Sequence, residues 1–404
     1  MKRITLALVV LLAMGACTPA KKVQEIVFWQ FWPLEVIQPL VTQFEAENPG
    51  IHVRVEQLTW DGGKDKITAS VAAGNPPDLC ELGSTYMPRF LDSGALSDWS
   101  AGVADLRPSL RGWEQCMVGD AIYGLPWVLG TRALFYNKTL FARAGLDSTH
   151  GPVTWAELET AAARIQKLGG GVHGYGVSLN DKQKLFKKFM PYAWGNGGEI
   201  LSAGLDSARF DSPENVAALE FYLRLRKVGT LGMQDALDQE FKEGHLGMQI
   251  SGAWLFKQIP KEAPHLKYGV ALVPKPAPDR GTHASFAGGE VLVSFQASKR
   301  KEDALRLARF LVRPDHALAL AIAAQSVQPA TVSADTAVYY RDRPMQQVLI
   351  QQFATARFTP NHAAWDEMEQ AIESEVEQAL YDKKSAAQAV TDANARIAGL
   401  LGKK

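Results

Sequence analysis

The sequence predicts an α/β protein built from two domains. Its 404 residues exceed what one compact core usually holds and suit two domains of ordinary size. Hydrophobic residues make up 47% and charged residues 21%, which is typical of a folded chain with real cores. Short apolar runs alternate with amphipathic stretches near the N-terminus, and this alternation is typical of strands and helices in turn.

The alternation is clearest between residues 25 and 82. We predict strands at 25–31, 51–57 and 78–82 and helices at 35–48 and 64–73. Both helices end at Pro- and Gly-containing stretches, which stop helices. This βαβαβ order predicts a mostly parallel sheet covered by helices, with ligands bound beyond the carboxyl ends of the strands. The loops after Phe31 and Leu82 are therefore candidate walls of a site.

A second set of elements begins at Thr154. Thr154 and Glu157 form a capping-box pattern for a helix that runs to about Leu168, where glycines stop it. The stretch 169–174 matches GxGxxG formally, but it follows a helix and not a strand, so it predicts a helix stop and not a dinucleotide site. Further on we predict a helix at 211–228, strands at 248–251, 268–273 and 290–295, and mainly helices from Lys301 onward.

The N-terminus has the pattern of an export signal. Lys2 and Arg3 precede an apolar run from Ile4 to Met14, and Gly15 and Ala16 lead into Cys17. This ending is similar to a bacterial lipobox, in which the Cys is lipidated and becomes the mature N-terminus. We expect a signal peptide over 1–16, lipidated Cys17 with a tether over 17–22, and a protein anchored by lipid at the cell envelope. A plain cleavable signal with a chance Cys is the alternative.

Charge and motifs exclude several functional classes. Basic and acidic residues both number 43, and no local basic stripe is present, so nucleic acid is not an expected partner. The sequence lacks GxxxxGK[ST], HExxH, GxSxG and EF-hand motifs, and we expect no cofactor and no metal. Glycoside hydrolysis by carboxylates such as Asp78, Glu81 and Glu290 stays open, because only their separation would decide. Cys80 and Cys116 form either a disulfide or two buried thiols.

Aromatic residues give the most informative signal. Most of them fall in predicted loops or at strand ends and not at the spacing of a helix core. Their faces can pack against the C–H faces of sugar rings, while carboxylates, amides and Arg hydrogen-bond to sugar hydroxyls. Packing in the core or hinge is an equally good explanation for any single one. The set comprises Trp29, Phe31, Trp32, Trp60, Trp127, Trp194 and Trp254.

Eight segments, taken in order, resemble the extracellular solute-binding proteins of ABC importers, specifically the carbohydrate-binding group related to maltose-binding protein. The resemblance covers nearly the whole mature chain. The segments are IVFWQFW at 26–32, FEAENPGIHVRV at 44–55, AAGNPPDLCELG at 72–83, YGLPWVLGTRALFYNKTLFARAGL at 123–146, TWAEL at 154–158, AWGNGGEIL at 193–201, FKEGHLGMQISGAW at 241–254 and FAGGEVLVSF at 286–295.

The resemblance implies a periplasmic-binding-protein type II-like fold, in which two α/β lobes joined by a hinge close on a ligand in the cleft between them. It implies lobe 1 at 23–133 plus 284–327 and lobe 2 at 134–283 plus 328–404, with the first crossing at Leu134–Asn137. It also implies a set of ligand-binding residues: Gln30, Trp32, Glu81, Ser84, Trp127, Arg132, Trp194, Asn196, Ser251, Trp254, Gly288, Gly289, Glu290 and Arg357.

Roles follow from the chemistry of these residues. Trp194 and Trp254 would stack a sugar ring, Glu81 and Glu290 would accept hydroxyl hydrogens, and glycines at 288 and 289 would let the backbone approach the ligand. We expect a monomer without catalytic residues that delivers a small carbohydrate to the permease subunits of an ABC transporter. A binder of glycerol-3-phosphate or a glycerophosphodiester is the second reading, with Arg357 as its phosphate ligand or, equally, as a surface ion pair.

Overall fold

The structure is a computed structural model that describes residues 23–179, 181 and 184–402. The predicted signal peptide, Cys17 and the tether lie outside the described residues. The strands are β1 Gln24–Gln30, β2 Ile51–Gln57, β3 Leu79–Gly83, β4 Met117–Val118, β5 Ala121–Ile122, β6 Leu125–Thr131, β7 Ala133–Asn137, β8 His173–Ser178, β9 Gly229–Gly232, β10 Leu246–Ser251, β11 Tyr268–Ala271, β12 Ser285–Val293, β13 Gln328–Pro329 and β14 Ala356–Arg357.

The α-helices are α1 Leu34–Glu47, α2 Gly63–Ala72, α3 Met87–Asp92, α4 Ser100–Val103, α5 Lys138–Arg143, α6 Trp155–Gln166, α7 Lys184–Gly195, α8 Pro213–Lys227, α9 Gln234–Lys242, α10 Leu255–Glu262, α11 Lys301–Leu311, α12 Pro314–Ala324, α13 Val338–Arg341, α14 Pro344–Phe353, α15 Trp365–Leu380 and α16 Ala386–Leu401. Short 3-10 helices cover Ser84–Tyr86, Ala104–Leu106, Trp113–Gln115 and Val332–Thr336.

Two large sheets define two lobes. The first sheet has the order β13-β6-β12-β3-β1-β2, with β14 paired to β12, and the second has the order β11-β7-β10-β8-β9. Strands β2, β1 and β3 are parallel, as the βαβαβ pattern predicts, but β12 runs antiparallel to both β3 and β6. The first sheet is therefore mixed and not mostly parallel.

Local sequence signals explain where the elements begin and end. The capping box is formed: the Thr154 hydroxyl accepts from the Glu157 N–H, and the Glu157 carboxylate accepts from the Thr154 N–H. The Ser212 hydroxyl caps α8 by accepting from the Asn215 N–H, and Pro213 occupies the first turn. The three glycines after α6 all have φ between 64° and 78°, so this stretch ends the helix and is not a nucleotide loop.

Each lobe has its own core. Helices α1, α11 and α12 cover the first sheet, and aromatic pairs such as Phe44 with Phe310 fill the space between helices. In the second lobe, Trp155 stacks on Phe221 at 4.3 Å, and Trp365 of α15 joins the same core. The last two helices, α15 and α16, therefore belong with the second lobe. Cys80 and Cys116 are both buried as free thiols in the first lobe.

The strand pairing refines the expected division into lobes. Strand β7, which contains the predicted crossing Leu134–Asn137, already pairs with β10 and β11 in the second sheet. The chain therefore changes sheet at Arg132, between β6 and β7. Strands β13 and β14 pair with β6 and β12 in the first sheet, although the predicted boundaries assigned them to lobe 2.

The glycine pair in β12 has a structural cause. A Cβ at Gly289 would lie 2.1 Å from the Val128 carbonyl oxygen, and one at Gly288 would lie 2.6 Å from the Phe286 ring. Gly289 therefore allows close approach of β6, and Gly288 leaves room for the Phe286 ring. Backbone contact of Gly288 and Gly289 with a ligand stays a prediction beside this packing role.

We expect Gly289→Ala to destabilise the protein by about 2 kcal/mol or more, because backbone atoms of β6 cannot move away cheaply. Gly399→Ala is the matched control: Gly399 is exposed in α16 with no atom near its Cβ position, so alanine should stabilise by roughly 0.5–1 kcal/mol. Urea unfolding curves measure both changes. A normally stable Gly289→Ala protein would contradict the packing role.

Candidate functional site

The interlobe seam is built on one face of β12. Phe286, Gly288 and Glu290 alternate onto this face, and α7 of the second lobe packs across it, with the Lys187 ammonium 5.2 Å from the Phe286 ring centre. Arg132, at the change of sheet, lies on the same seam, and its guanidinium is 5.6 Å from that ring. Residues of the hinge and of both lobes therefore meet at β12.

Two carboxylates form the wall of the first lobe. In the β3–β12 register Glu290 is opposite Gly83 and Leu292 is opposite Glu81, so Glu81 and Glu290 are diagonal neighbours on one face. The Phe31 N–H donates to Glu81 Oε2 at 2.7 Å. Glu81 Oε1 and Glu290 Oε2 are buried and have no hydrogen-bond partner among the described residues.

Burial makes both of these carboxylates hard to ionise. Desolvation, and next the nearby Glu290, raise the pKa of Glu81 well above its usual range. Desolvation also raises the pKa of Glu290 to about 7, although Arg132 and Lys187 oppose the shift. Such carboxyls can accept or donate hydrogen bonds, which is what the hydroxyls of a bound molecule require.

The loop after β1 adds polar groups next to these carboxylates. Gln30 is fully buried, and its Oε1 accepts from the Trp32 N–H at 2.5 Å. Its Nε2 and the Trp32 Nε1 are buried donors without partners in the described part of the chain. Ser84, directly after β3, accepts from the Gly289 N–H at 3.2 Å. The segments after β1 and β3 thus carry polar groups at one edge of the first sheet, and their role as walls of a ligand site stays a prediction.

Asp238 of α9 organises the wall of the second lobe. Its Oδ1 accepts from Gln249 Nε2 and Ser251 Oγ, both at 2.9 Å, and its Oδ2 accepts from Trp254 Nε1 at 2.7 Å. These bonds fix the Trp254 indole at the end of β10. The Arg132 guanidinium lies 4.8 Å from the Trp254 ring centre, so the residue at the change of sheet makes a cation–π contact with this indole.

A buried acid of α15 completes the seam. Glu369 is 1% exposed, and neither carboxylate oxygen has a hydrogen-bond partner among the described residues. Desolvation raises its pKa to about 8, with Lys187 opposing. We call Glu81, Arg132, Lys187, Glu290 and Glu369 the interlobe charge cluster. An ion pair of 2.5 Å between Lys64 of α2 and Asp366 of α15 ties the lobes beside it.

Trp32 and Trp254 line one groove from opposite lobes. This groove encloses about 450 Å³, part of it open to solvent, and Pro33, Lys257 and Gln258 also contribute to it. Two indoles that face a common space next to polar groups are a suitable arrangement for a ring with apolar faces and hydroxylated edges.

The structure does not bring three of the expected residues into this arrangement. Trp127 is fully buried in the first core, 6.2 Å from Phe28. Trp194 is 5% exposed and packs edge-on against Phe186 in the second core. Asn196 donates to the Glu214 carbonyl near the start of α8. Each has a packing or capping role that the sequence pattern does not distinguish from ligand binding.

Arg357 is engaged in a forked ion pair. Its two terminal nitrogens lie 2.9 and 2.6 Å from the carboxylate oxygens of Glu199, and its guanidinium lies over the Trp194 ring at 5.6 Å. The side chain is 40% exposed. Of the two roles expected for Arg357, phosphate ligand or surface ion pair, its contacts are those of the ion pair.

Sequence reasoning missed Lys64, Lys187, Asp238, Asp366 and Glu369. Glu369 lies in the run EMEQAIESEVEQ, whose charges are typical of a solvated helix face, and Lys187 lies in a helix of alternating basic and apolar residues. No local signal marks the positions of these side chains, because their contacts are made with residues far away in the sequence.

This two-lobed α/β architecture with a polar interlobe seam defines a binding protein of the hinged, two-lobe class. Residues 33–317 match the family model described as bacterial extracellular solute-binding protein, and the chain belongs to that family. The match confirms the resemblance seen in the sequence. Within the described residues, no helix has the length and hydropathy that crossing a membrane would require.

Individual relatives agree with this assignment. A binding protein of Brucella abortus (strain 2308) is 31% identical over 378 residues, which are 89% of this chain and 88% of that protein. A solute-binding protein of an ABC transporter from Thermotoga lettingae TMO, solved with α-D-tagatose bound, is 26% identical, has a TM-score of 0.83 and aligns over 94% of this chain and 100% of its own. The sn-glycerol-3-phosphate-binding protein UgpB of Shigella dysenteriae is 27% identical over 74% of this chain and 72% of its own.

The raised pKa of Glu369 predicts a pH-dependent stability. The unfolded carboxyl loses its proton near pH 4.5, whereas the folded one holds it to about pH 8, so the free energy of unfolding should fall as pH rises through this interval. Glu369→Gln should therefore be more stable than the parent at pH 8, by roughly 1–3 kcal/mol, and about equal to it at pH 4.5. Ligand-free urea curves at the two pH values measure this difference.

Glu367→Gln serves as the control, because Glu367 lies on the exposed side of the same helix. It should leave the pH profile of the parent unchanged. A Glu369→Gln protein that is less stable than the parent at pH 8 would show that an ionised Glu369 stabilises the fold, contrary to this account.

Proposed function

We propose that the protein is the substrate-binding lipoprotein of an ABC importer, which captures a mono- or oligosaccharide in the interlobe cleft and delivers it to a membrane permease. The proposal rests on one observation above all. Buried polar atoms of the first lobe, namely Gln30 Nε2, Glu81 Oε1 and Glu290 Oε2, have no partners among the described residues, and Arg132, which lies in the field of Glu290, contacts the Trp254 ring of the second lobe at 4.8 Å. Sugars present hydroxyls and apolar faces together, and both features would be satisfied here.

Binding and closure are coupled in this proposal. Glu81 belongs to the first lobe and Trp254 to the second, so a solute that contacts both is bound more tightly by the closed form than by the open one. A ligand shifts a conformational equilibrium only by such differential contact. The closed protein then presents a surface, formed by both lobes, that the permease can recognise. No catalytic step belongs to this mechanism.

The charges favour a neutral solute over the glycerol phosphate of the second reading. The two cations of the interlobe charge cluster, Arg132 and Lys187, both lie in the field of Glu290, and its three carboxyls have raised pKa values and can donate as well as accept hydrogen bonds. A phosphate needs a surplus of N–H donors and cations at one point. Arg357, the expected phosphate ligand, is already paired with Glu199. The relationship to UgpB keeps glycerol phosphates in the test as the second candidate.

A thermal-shift panel tests the proposal on residues 18–404, which lack the lipid site. The panel contains monosaccharides, disaccharides, short oligosaccharides, polyols, glycerol-3-phosphate and its diesters. Ligand at about a hundred times its dissociation constant adds roughly 2.7 kcal/mol and should raise the midpoint by a few degrees. We expect a shift with one class of sugar, recovered unchanged. A shift with phosphates alone would support the second candidate, and released product would indicate a hydrolase.

Trp254→Ala should raise the dissociation constant of that sugar by about tenfold or more, because the stacking platform is lost. The ligand-free midpoint should change less than for a core Trp, since Trp254 is half-buried and borders the groove. Tyr381→Ala is the matched control, because Tyr381 is an exposed aromatic residue of the second lobe. Calorimetric titration measures both variants. Loss of folding with unchanged affinity in the folded fraction would identify Trp254 as a core residue.

Lipid anchoring at Cys17 stays part of the proposal. In the full-length protein, Cys17→Ser should abolish incorporation of radiolabelled palmitate and release the protein from the membrane fraction. The parent should be labelled and sediment with membranes. An unlabelled parent would favour the plain signal peptide and a freely diffusing binding protein.

A further inference from the structure

Helix α15 carries a row of three acids beside the face that packs in its own core. Trp365 and Met368 of this helix belong to the second core, whereas Asp366, Glu369 and Glu373 follow one another at intervals of three and four residues on an adjacent face. Glu369 and Glu373 are buried, and Asp366 is half-buried. Acids removed from water in this way need partners on other elements, or a proton.

The two ends of this row have partners in different lobes. Asp366 Oδ2 lies 2.5 Å from the ammonium of Lys64 in α2 of the first lobe, and this ammonium also lies over the Tyr86 ring at 4.8 Å. At the other end, Glu373 Oε1 accepts from the Phe186 N–H of α7, in the second lobe, at 3.0 Å. The row therefore extends from one lobe to the other. We call the arrangement in which α2 contacts α15 through this ion pair the closed form.

Glu369, in the middle of the row, has no such partner. It is 1% exposed, and neither of its carboxylate oxygens accepts a hydrogen bond from the part of the chain that the structure describes. Its charged neighbours are two cations and two acids: Lys64, Lys187, Asp366 and Glu373. Both cations are already engaged, since Lys64 pairs with Asp366 and Lys187 also lies in the field of Glu373. A negative charge on Glu369 is therefore not compensated.

Three further groups complete the surroundings of Glu369. Tyr86 of the first lobe lies in its field, and desolvation, followed by Asp366 and Glu369, raises the pKa of this phenol to about 12, so that it is neutral. Glu290 of β12 and Arg132 at the change of sheet act on Lys187 with opposite signs. None of these groups supplies the missing positive charge.

An enclosed carboxyl without compensation holds a proton in the closed form. Desolvation is the largest cause that raises the pKa of Glu369 to about 8, and Lys187 opposes it. In an open form, α2 moves away from α15 and water reaches the side chain, so the pKa returns towards its ordinary value of 4.5. Closure then takes up a proton at any pH between these two values.

We propose that Glu369 is a proton-dependent switch of lobe closure: protonated, it lets α2 and α15 meet, and ionised, it drives the two lobes apart. Its contribution to closure is complete below about pH 4.5, falls as the pH rises and is lost above about pH 8. Within this interval the ratio of closed to open molecules changes by up to about tenfold per pH unit. This inference goes beyond the proposed function, because it concerns the ligand-free protein and holds for any solute.

Small-angle X-ray scattering tests the switch on residues 18–404, unfolded and refolded to remove co-purified solute. An open two-lobed protein has a larger radius of gyration than a closed one. For the parent we expect this radius to fall when the pH is lowered from 8.5 to 5, with the ratio of closed to open molecules rising at least about tenfold. Glu369→Gln, which resembles the protonated side chain, should be more closed than the parent at pH 8.5 and equal to it at pH 5.

Two further variants separate charge from other effects. Glu369→Leu is neutral but forms no hydrogen bonds, and it should behave as Glu369→Gln does. Glu367→Gln removes an exposed charge of the same helix and should follow the parent at both pH values. A parent whose radius is the same at pH 5 and pH 8.5, or Glu369 variants that keep the full pH response of the parent, would overturn the switch. Either result would leave the proposed sugar site intact, and failure of every saccharide to bind would leave the switch intact.

Discussion

The structure depends on the enclosure of charged groups between two lobes. Glu81, Glu290 and Glu369 lose most of their hydration where the lobes meet, and Arg132 and Lys187 compensate them only in part. Enclosing an unpaired polar atom costs about 1–3 kcal/mol, so several of them together oppose closure. A hydroxylated solute that pairs these atoms reverses this balance. The groups that oppose closure of the ligand-free protein therefore make closure depend on the ligand.

The scaffold sets the positions of these groups by backbone rules. The register of β3 and β12 makes the two glutamates neighbours, and the change of sheet at Arg132 places a cation between the lobes. Asp238 accepts a hydrogen bond from Trp254 Nε1, which fixes the position of the indole. Rigid placement of this kind lowers the entropy lost on binding. Gly289 of β12 serves the same end, since it allows strand β6 to lie close.

Local patterns predicted most of the fold. The capping box at Thr154, the Pro-Gly stops and the strand-like runs each depend on neighbours in the chain, and the observed elements begin and end close to the predicted residues. The site was only partly predictable. Gln30 ends β1, Glu81 lies within β3 and Trp254 follows β10, so motif and topology agree for these three. Trp127 and Trp194 look the same in sequence but are core residues, and Glu369 and Asp238 owe their role to contacts made across long stretches of chain.

The central claim is that a neutral, hydroxylated solute binds both lobes through the partnerless atoms of the interlobe seam. The most direct measurement is a crystal structure of residues 18–404 with the saccharide that gives the largest thermal shift. The account predicts a ring against Trp254, with hydroxyls within hydrogen-bond distance of Glu81 and Glu290. A saccharide bound to one lobe alone, or elsewhere on the surface while these carboxylates stay without partners, would contradict it.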